Sequence, residues 1–371
     1  MYKITSIKNI ESLVGFESTW RRLFDTSKEK NFFVSYEWVY EWLSSGVFKG
    51  LFRIDIVWFN DECILIAPMK ESTYLYFFKK LSFLNDPMMA DYSDFLFADN
   101  SKYVDSLSFL LDYYKSKYKK IELERIKGTS LAYDFFSRSK DLNLAVCECP
   151  YISLDGGWDE YLKSRPKKLR QELRTTRNKL NKNFEGKWSF SSFSISKDDY
   201  EKLVLLHLER QKFKVGSSIF SKKENVTFFS NLINRYGAEK KVDLSSLSVN
   251  DEIVSICLSL NFFGTYYYWI PTFNEKFKGY SLGKLHQAYL IEKAFEDSSC
   301  TAFDFMIGNE SYKLKWATGI SNCYKIMSYE LPFLKSLEIF RLQIRKKLKD
   351  IKNSNKLLSN LWREFSKKLG Y

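Results

Sequence analysis

The sequence predicts an α/β (α+β) protein built from two similar halves. Helix-like and strand-like segments alternate along the chain, which is typical of this class. Both halves carry the same order of a strand hairpin, a helix and a strand. At 371 residues, with 18% aromatic residues, the chain is long enough for two domains that each have a core.

Residues 1–155 are predicted to form the N-terminal domain. The stretch "ESLVGFESTWRRLF" places Leu13, Phe16 and Trp20 at helical spacing, and a second helical run begins near Ser35. A hairpin turns at Asn60–Asp61 between two β-rich runs. After an acidic, Pro-containing loop, "VDSLSFLLDYYKSK" predicts a helix and "YKKIELERI" predicts a strand.

Residues 156–334 are predicted to form the C-terminal domain, and 335–371 a basic tail of two amphipathic helices. After Gly156–Gly157, one long basic helix is expected through "WDEYLKSRPKKLRQELRTTRNKLNKN". A strand "KWSFSSFSI" and a helix "DDYEKLVLLHLERQKF" follow, with Ser196 or Asp198 as the helix cap. The hairpin Ile253–Ile270 then leads to a glycine-containing loop, the helix "LHQAYLIEKAFED" and the strand "CTAFDFMI".

Several classes of protein are disfavoured by the composition. The N-terminus lacks a basic region followed by an apolar run, so no signal peptide is expected. Asn261 and Gly264 interrupt the most apolar segment, which favours a hairpin over a transmembrane helix. Six scattered cysteines and two histidines predict no metal centre. Reduced thiols in a cytoplasmic protein fit this composition best.

The net charge of +13 is concentrated in two segments. Lys163–Lys182 carries nine Lys or Arg residues and one acid, and Lys335–Tyr371 carries eleven against three. The first segment is a solvated face, a contact for an anionic substrate such as a nucleotide-sugar or lipid pyrophosphate, or a contact for tRNA. Without interleaved aromatics, nucleic acid is the weaker functional option. The second segment either closes the core or lies peripherally on an acidic membrane surface.

A glycine-containing loop precedes the helix "LHQAYLIEKAFED". In "KFKGYSLGKLHQAYL", Lys278, Ser281, Gly283 and Lys284 lie where a strand leads into a helix. A helix N-terminus presents unpaired amides and partial positive charge, which together hold a phosphate group. The alternative is that the two glycines of this loop only form a turn.

The strand before this loop, "TYYYWIPTF", contains Pro271, which has no amide to donate to a neighbouring strand. If its partner strand splays away, free backbone groups remain on that edge. An amide-bearing cofactor arm such as pantetheine would pair with them, and its pyrophosphate would then reach the helix at Gly283.

The chain resembles the CelD-like acetyltransferase family of the GNAT superfamily, which is related to the Fem transferases of peptidoglycan assembly. The resemblance covers most of the chain. It rests on "WRRLFDTSKEKNFFVSYEWVYEWL", "DYSDFLF", "RPKKLRQELRTTRNKL", "LHLERQKF", "YSLGKLHQAYLIEKAF" and above all "FDFMIGNESYKLKW". The GNAT phosphate signature, Gln/Arg-x-x-Gly-x-Gly/Ala, is approximated by Lys278-x-x-Ser281-x-Gly283. Two tandem GNAT-like domains are implied, with the active site in the second.

The resemblance also implies roles for individual residues. Tyr312 is expected as the acid that protonates the departing thiolate, Glu310 as the base, and Asp304 as an orienting group with Lys313 as its partner or as an anion ligand. The alternatives are a packed aromatic for Tyr312 and a dipole-favoured helix acid for Glu310. The expected cofactor-binding residues are Tyr268, Trp269, Ile270, Lys278, Ser281, Leu282, Gly283, Lys284 and Leu285. The expected substrate-binding residues are His207, Arg170, Arg174 and Trp316, and packing is the alternative for Trp316. His286 is expected either at the surface or near the cofactor.

Three functions remain open on this basis. The first is an N- or O-acyltransferase that uses acetyl-CoA or another acyl-CoA on a sugar or sugar-linked precursor of an envelope polysaccharide. The second is a Fem-type transferase that uses aminoacyl-tRNA, although the Fem coiled-coil insertion is not evident. The third is a non-catalytic binding protein with the same fold.

Overall fold

The computed structural model describes residues 1–28, 30–86, 89–98, 102–212 and 217–354. The strands of the N-terminal half are β1 (Tyr2–Ile7), β2 (Leu51–Phe59), β3 (Glu62–Tyr74), β4 (Phe78–Phe83), β5 (Leu96–Phe97), β6 (Lys120–Lys127) and β7 (Leu142–Ser153). Its helices are α1 (Ile10–Gly15), α2 (Glu17–Thr26), α3 (Tyr36–Ser44), α4 (Tyr103–Lys115) and α5 (Leu131–Ser137).

The C-terminal half begins with two helices and then alternates strands with helices. Its strands are β8 (Trp188–Ser191), β9 (Val242–Val249), β10 (Glu252–Phe262), β11 (Thr265–Phe273), β12 (Ala302–Asp304) and β13 (Gly319–Tyr329). Its helices are α6 (Trp158–Ser164), α7 (Lys167–Phe184), α8 (Lys197–Gln211), α9 (Lys223–Tyr236), α10 (Leu282–Glu296), α11 (Ser311–Trp316) and α12 (Pro332–Ser354). Short 3₁₀ turns cover Phe32–Val34, Ile219–Ser221 and Glu275–Tyr280.

One continuous sheet runs through both halves, in the order β1-β2-β3-β4-β6-β13-β7-β12-β11-β10-β9-β8. Its pairs are antiparallel except β4 with β6 and β11 with β12. The last strand, β13, lies between β6 and β7 of the first half. The predicted α/β (α+β) class, a mixed and mostly antiparallel sheet flanked by helices, is confirmed.

The two halves repeat one arrangement, which supports the tandem organisation. In each, a hairpin strand is followed by a helix and then by a strand that pairs with it in parallel. The β4–β6 pair and the β11–β12 pair each extend over three residues. In the second half the helix between the paired strands is α10, and this repeat contains the predicted cofactor-binding residues and Asp304.

Several local predictions agree with the structure, while the predicted strand "CTAFDFMI" is shorter, at Ala302–Asp304, and one predicted helix is broken. The hairpin turn at Asn60–Asp61 is present, and the Ser196 hydroxyl caps α8 by accepting from the Asp199 amide at 3.4 Å. The single basic helix expected from Trp158 onward is wrong. Arg165 is extended (φ −78°, ψ 159°) because Pro166 disfavours helical geometry in the residue before it, so the segment divides into α6 and α7.

The core lies on both faces of the sheet and is rich in aromatic side chains. Trp20, Trp38 and Trp42 are fully buried in the larger cluster, which packs against residues of β10 and β11. Within the described ranges no helix is long and apolar enough to cross a membrane. The second helix predicted for the tail falls on residues 355–371, outside the described residues.

Candidate functional site

Strands β11 and β12 separate after three paired residues. The parallel register joins Thr265 to Ala302 and ends at Tyr267 with Asp304. Beyond it, the chain after β12 follows β7 instead: the Phe305 amide donates to the Pro150 carbonyl at 3.0 Å. Strand β11 continues for six more residues without this partner. The edge from Tyr268 onward is therefore open toward β12, as the sequence predicted.

The side chains of the open edge are mostly part of the core. Tyr268 and Ile270 are buried, and the Trp269 ring packs against Phe33 and Phe229. The pairing of β10 with β11 shifts register between Leu258 and Ser259, opposite Trp269, as a β-bulge does when it redirects a strand edge. These residues offer backbone groups rather than side chains to a ligand in the gap.

Helix α10 begins at the end of this gap. Ser281, at φ +53°, turns the chain from the 3₁₀ segment into the helix. The Ser281 amide donates to Lys278, and the Lys284 amide donates to Ser281. The first-turn amides of Leu282 and Gly283 remain for a ligand, because first-turn amides have no intrahelical acceptor. The side chains of Leu282 and Leu285 are buried, while Lys278 is exposed.

One face of the basic helix α7 lies against this loop. A groove of about 360 Å³ between them is lined by Lys168, Thr175, Lys179 and Ser281. The Lys179 ammonium lies 3.3 Å from the carbonyl oxygen of Gly279. Two cations thus face the loop that the sequence predicted to hold a phosphate.

Lys284 does not point freely toward that groove. Its ammonium donates to the Glu172 carboxylate on α7 at 2.6 Å. This hydrogen bond lowers the pKa of Glu172. Lys284 therefore joins α10 to α7, and the full positive charge expected for the phosphate is partly neutralised.

Asp304 lies at the centre of a buried polar network. Its carboxylate accepts from the Tyr92 hydroxyl, the Lys127 ammonium and the Met306 amide, each at 2.7 Å. Burial opposes the charged form of Lys127, but the Asp304 carboxylate raises the pKa of that ammonium. Tyr92 and Lys127 belong to the N-terminal half, so this network joins both halves at β12.

The expected pairing of Lys313 with Asp304 is not what the structure has. The Lys313 ammonium is buried, donates to the Ile307 carbonyl at 2.7 Å and pairs with Glu310 at 2.9 Å. Gly308 has a φ of +114°, and a Cβ atom there would lie 2.5 Å from the Glu310 carboxylate. Lys313 and Gly308 thus shape the loop after β12, while the Glu310 side chain is 57% exposed.

Tyr312 lies beside the open edge, together with a residue that sequence reasoning missed. Burial and then the nearby Glu310 carboxylate raise the pKa of Tyr312, whereas Arg210 lowers it. Arg210 donates to the Pro271 carbonyl at 3.3 Å and lies 4.0 Å above the Phe273 ring. Burial lowers the pKa of Arg210. Its position in "LHLERQKF", a motif of the resemblance, was the available signal, although Phe213 of that motif lies outside the described residues.

The two histidines occupy packed positions. The His207 ring nitrogen Nδ1 lies 2.8 Å from the Ser218 hydroxyl, and its ring meets Phe220 edge-on. His286 is buried, not at the surface, with Nδ1 3.0 Å from the Ser255 hydroxyl. Burial lowers the pKa of His286 to about 3, so this imidazole is neutral near pH 7.

The remaining predicted substrate residues lie in a groove beside α7 or in the core. Exposed Arg170 and Arg174 line a groove of about 300 Å³ between α6, α7 and α10, next to Leu285. The Trp316 indole is 1% exposed in the apolar cluster under α10. Because a buried ring offers no face to a sugar, the structure places Trp316 in a packing position rather than a binding one.

A cluster of three thiols lies in the seam between the halves, which the sequence did not predict. The sulfur atoms of Cys147, Cys149 and Cys323 lie within 4.8 Å of one another. Hydrogen bonds with the other two thiols lower the pKa of Cys147. In the part of the chain that the structure describes, no fourth His, Cys, Asp or Glu joins them, and a structural zinc site takes four ligands.

Comparisons with known proteins agree with this geometry. The sequence model of the acetyltransferase (GNAT) domain matches residues 167–314. Similar solved structures include FemX, with a TM-score of 0.57 at 12% identity over 87% of this chain and 96% of that one. A conserved protein of unknown function from Bacteroides thetaiotaomicron has a TM-score of 0.55 at 11% identity, over 88% and 99% of the two chains. L-PGS from Bacillus licheniformis has a TM-score of 0.53 at 13% identity, over 83% of this chain and 90% of that one. No curated protein matches the sequence.

The matched domain model spans α7 to α11, which includes both parted strands and the loop before α10. The structural likenesses extend over both halves and support the tandem arrangement seen in the sheet. Residues 167–314 therefore match the acetyltransferase (GNAT) domain, which supports an acyltransferase of the GNAT superfamily in this half of the tandem fold.

Proposed function

We propose that the protein transfers an acyl group from an acyl-CoA, with acetyl-CoA as the expected donor, to a nitrogen or oxygen of its acceptor. The observation that carries the proposal is the open edge of β11, which ends at the first turn of α10. A thioester carrier needs both features, since its arm contains amides and its other end carries a diphosphate.

The donor fits the described residues as follows. Amides and carbonyls of the pantetheine arm pair with the backbone of Tyr268 to Ile270, which β12 leaves free. The diphosphate then reaches the first-turn amides of Leu282 and Gly283, where the helix dipole favours anions. Lys168 and Lys179 of α7 add charge from the other wall of the groove.

The reaction requires a proton acceptor and a proton donor. The acceptor's nucleophile attacks the thioester carbonyl carbon, a new C–N or C–O bond forms, and the C–S bond breaks. Tyr312 gives its phenolic proton to the departing thiolate, and its raised pKa keeps that proton in place at neutral pH. Exposed Glu310 receives the nucleophile's proton directly or through water, and Lys313 holds the Glu310 carboxylate near the gap.

Turnover of acetyl-CoA by Tyr312→Phe tests this assignment. The substitution removes only the hydroxyl and keeps the packed ring, so we expect kcat to fall about 10²- to 10⁴-fold with donor affinity unchanged. Tyr289→Phe is the matched control, because Tyr289 packs beside the same cluster and its hydroxyl meets Ser192 instead. Equal turnover of wild type and Tyr312→Phe would remove Tyr312 from the mechanism.

For the acceptor we propose a sugar or sugar-linked precursor of an envelope polysaccharide, in keeping with the CelD-like resemblance. A polar groove of about 390 Å³ beside Asp304 supports a polyhydroxylated molecule. Its lining includes Lys127, Thr129, Ser321 and Asn322. Thr129→Ala and Asn322→Ala should raise the acceptor KM and leave acetyl-CoA binding unchanged; an altered donor affinity with no change in acceptor KM would contradict this placement.

A Fem-type transfer from aminoacyl-tRNA is the second candidate. The fold likeness to FemX and the exposed Arg170, Arg174 and Arg177 on α7 favour it. Stabilisation against heat by acetyl-CoA but not by charged tRNA supports the first candidate; at one hundred times Kd a ligand adds about 2.7 kcal/mol. Tight tRNA binding that weakens steeply with salt supports the second. A response to neither would favour a non-catalytic binding protein.

A further inference from the structure

The turn between β3 and β4 carries exposed apolar side chains at its tip. Tyr76 is 93% exposed and Phe77 is 87% exposed. Leu75 beside them is also exposed. A soluble surface tolerates single apolar residues, but a contiguous apolar cluster on a protruding turn marks an interaction site.

The backbone of the turn that carries these apolar side chains is strained. Leu75 and Tyr76 have φ values of +50° and +65°, a left-handed region that bulky residues rarely adopt. Among the described residues, three other hairpin turns have two successive residues of positive φ, and each uses Asn, Asp or Gly for at least one of them: Asn60–Asp61, Asn250–Asp251 and Phe263–Gly264. Leu75 and Tyr76 are both bulky, and a turn that keeps two such residues in this region indicates a function for the apolar tip.

Helix α12 presents an apolar stripe to solvent. Four of its exposed apolar residues, Phe333, Leu337, Phe340 and Ile344, recur at intervals of four, three and four residues, which places them on one face. Ile339 is exposed as well but lies off this stripe. An adjacent face of the helix is anchored, because Leu334 is fully buried and Glu338 is 6% exposed. The stripe is therefore left without cover among the described residues, although the helix itself is packed on β13.

The turn and the helix meet at one end of the molecule. The Tyr74 hydroxyl, at the base of the turn, donates to the Glu338 carboxylate of α12 at 3.3 Å. Exposed cations flank both elements: Lys79 lies beside the turn, and Arg341 and Lys347 lie on α12. We call the following set the apolar patch: Tyr76, Phe77, Phe333, Leu337, Phe340 and Ile344.

We propose that the apolar patch docks the protein peripherally on an anionic lipid surface. Aromatic side chains favour the interface between headgroups and acyl chains, and an amphipathic basic helix lies in that same layer. Each Lys or Arg near an anionic surface adds about 1 kcal/mol of attraction. A second copy of this chain fits less well, since two such patches would bring their cations together.

Vesicle co-sedimentation of the full chain tests the proposal. We expect binding to vesicles of mixed phosphatidylglycerol and phosphatidylcholine, weakening with salt, and little binding to phosphatidylcholine alone. Because each buried CH₂ contributes about 0.8 kcal/mol, the double variant Tyr76→Ser, Phe77→Ser should lower the affinity at least about tenfold. Phe340→Ser should lower it as well. Leu205→Ser is the control, since Leu205 is an exposed apolar residue of α8 outside the patch.

Three results would overturn the proposal. They are the absence of binding to anionic vesicles, equal binding by the wild type and the tip variant, and a dimer in light scattering that the tip variant abolishes. Acetyl-CoA turnover in solution should be unchanged in the tip variant. Failure of vesicle binding and failure of acyl transfer are therefore observed separately.

Discussion

The network around Asp304 allows a quantitative prediction for Asp304→Asn. The new amide keeps the size of the carboxylate and one oxygen, which still accepts from Tyr92 and Met306. Its NH₂ group replaces the oxygen that now lies 2.7 Å from the Lys127 ammonium. The ion pair is lost and a donor faces a cation.

The expected cost follows from the burial of the pair. Breaking a fully buried ion pair costs about 3–5 kcal/mol. The Asp304 side chain is 6% exposed but that of Lys127 is 26% exposed, so water screens part of the remaining charge. We therefore expect a loss of about 3 kcal/mol in the free energy of unfolding, at the lower end of that range.

A double-mutant cycle in urea identifies the partner. Asp304→Asn and Lys127→Met together should cost less than the sum of the two, with a coupling energy of about 1–3 kcal/mol. The matched cycle with Lys313→Met should give a smaller coupling, because Lys313 bonds Ile307 and Glu310. A larger coupling to Lys313 than to Lys127 would refute the network described here.

Three further predictions follow from the loop after β12 and from burial. The pKa of Tyr312 is raised above its ordinary value of 10.0, so kcat of the wild type should not fall between neutral pH and about pH 9 through ionisation of this residue. A fall in that range that is absent from Tyr312→Phe would contradict the assignment. Since the folded-state pKa of His286 is about 3 against about 6.5 unfolded, stability falls as pH drops below 6.5. At pH 5 the free energy of unfolding should be lower by about 2 kcal/mol. Urea midpoints should show this loss in His207→Gln but not in His286→Gln. Equal pH dependence of the two variants would contradict the assignment. Gly308→Ala should lower the free energy of unfolding by about 1–3 kcal/mol, because Gly308 has a φ of +114°. Gly279→Ala is the control and should not lower it, because a Cβ atom at Gly279 would have no atom within 4 Å. Equal melting temperatures of the two variants would contradict the strain at Gly308.

Local chemistry made part of the fold predictable. The Asn60–Asp61 turn and the Ser196 cap each depend on residues that are neighbours in the chain, so their patterns are visible in the sequence. The placement of β13 between β6 and β7 depends on pairing across the whole chain. No local pattern specifies such pairing. The break at Arg165 was visible in principle, since a proline follows it.

The site shows the same division. The open edge of β11 and the loop before α10 were predictable from a proline, glycines and the start of a helix. The partners of Asp304 were not, because Tyr92 and Lys127 are 212 and 177 residues away in the sequence. The nearest cation, Lys313, was the natural local choice, and tertiary pairing overrode it. Arg210 was missed for the same reason, since its contacts lie on β11.

A co-crystal structure with acetyl-CoA tests the central claim most directly. The account predicts the pantetheine arm on the backbone edge that starts at Tyr268, with diphosphate oxygens about 3 Å from the amides of Leu282 and Gly283. Acetyl-CoA bound elsewhere on the molecule, or β11 and β12 paired along their full length with no ligand between them, would contradict it.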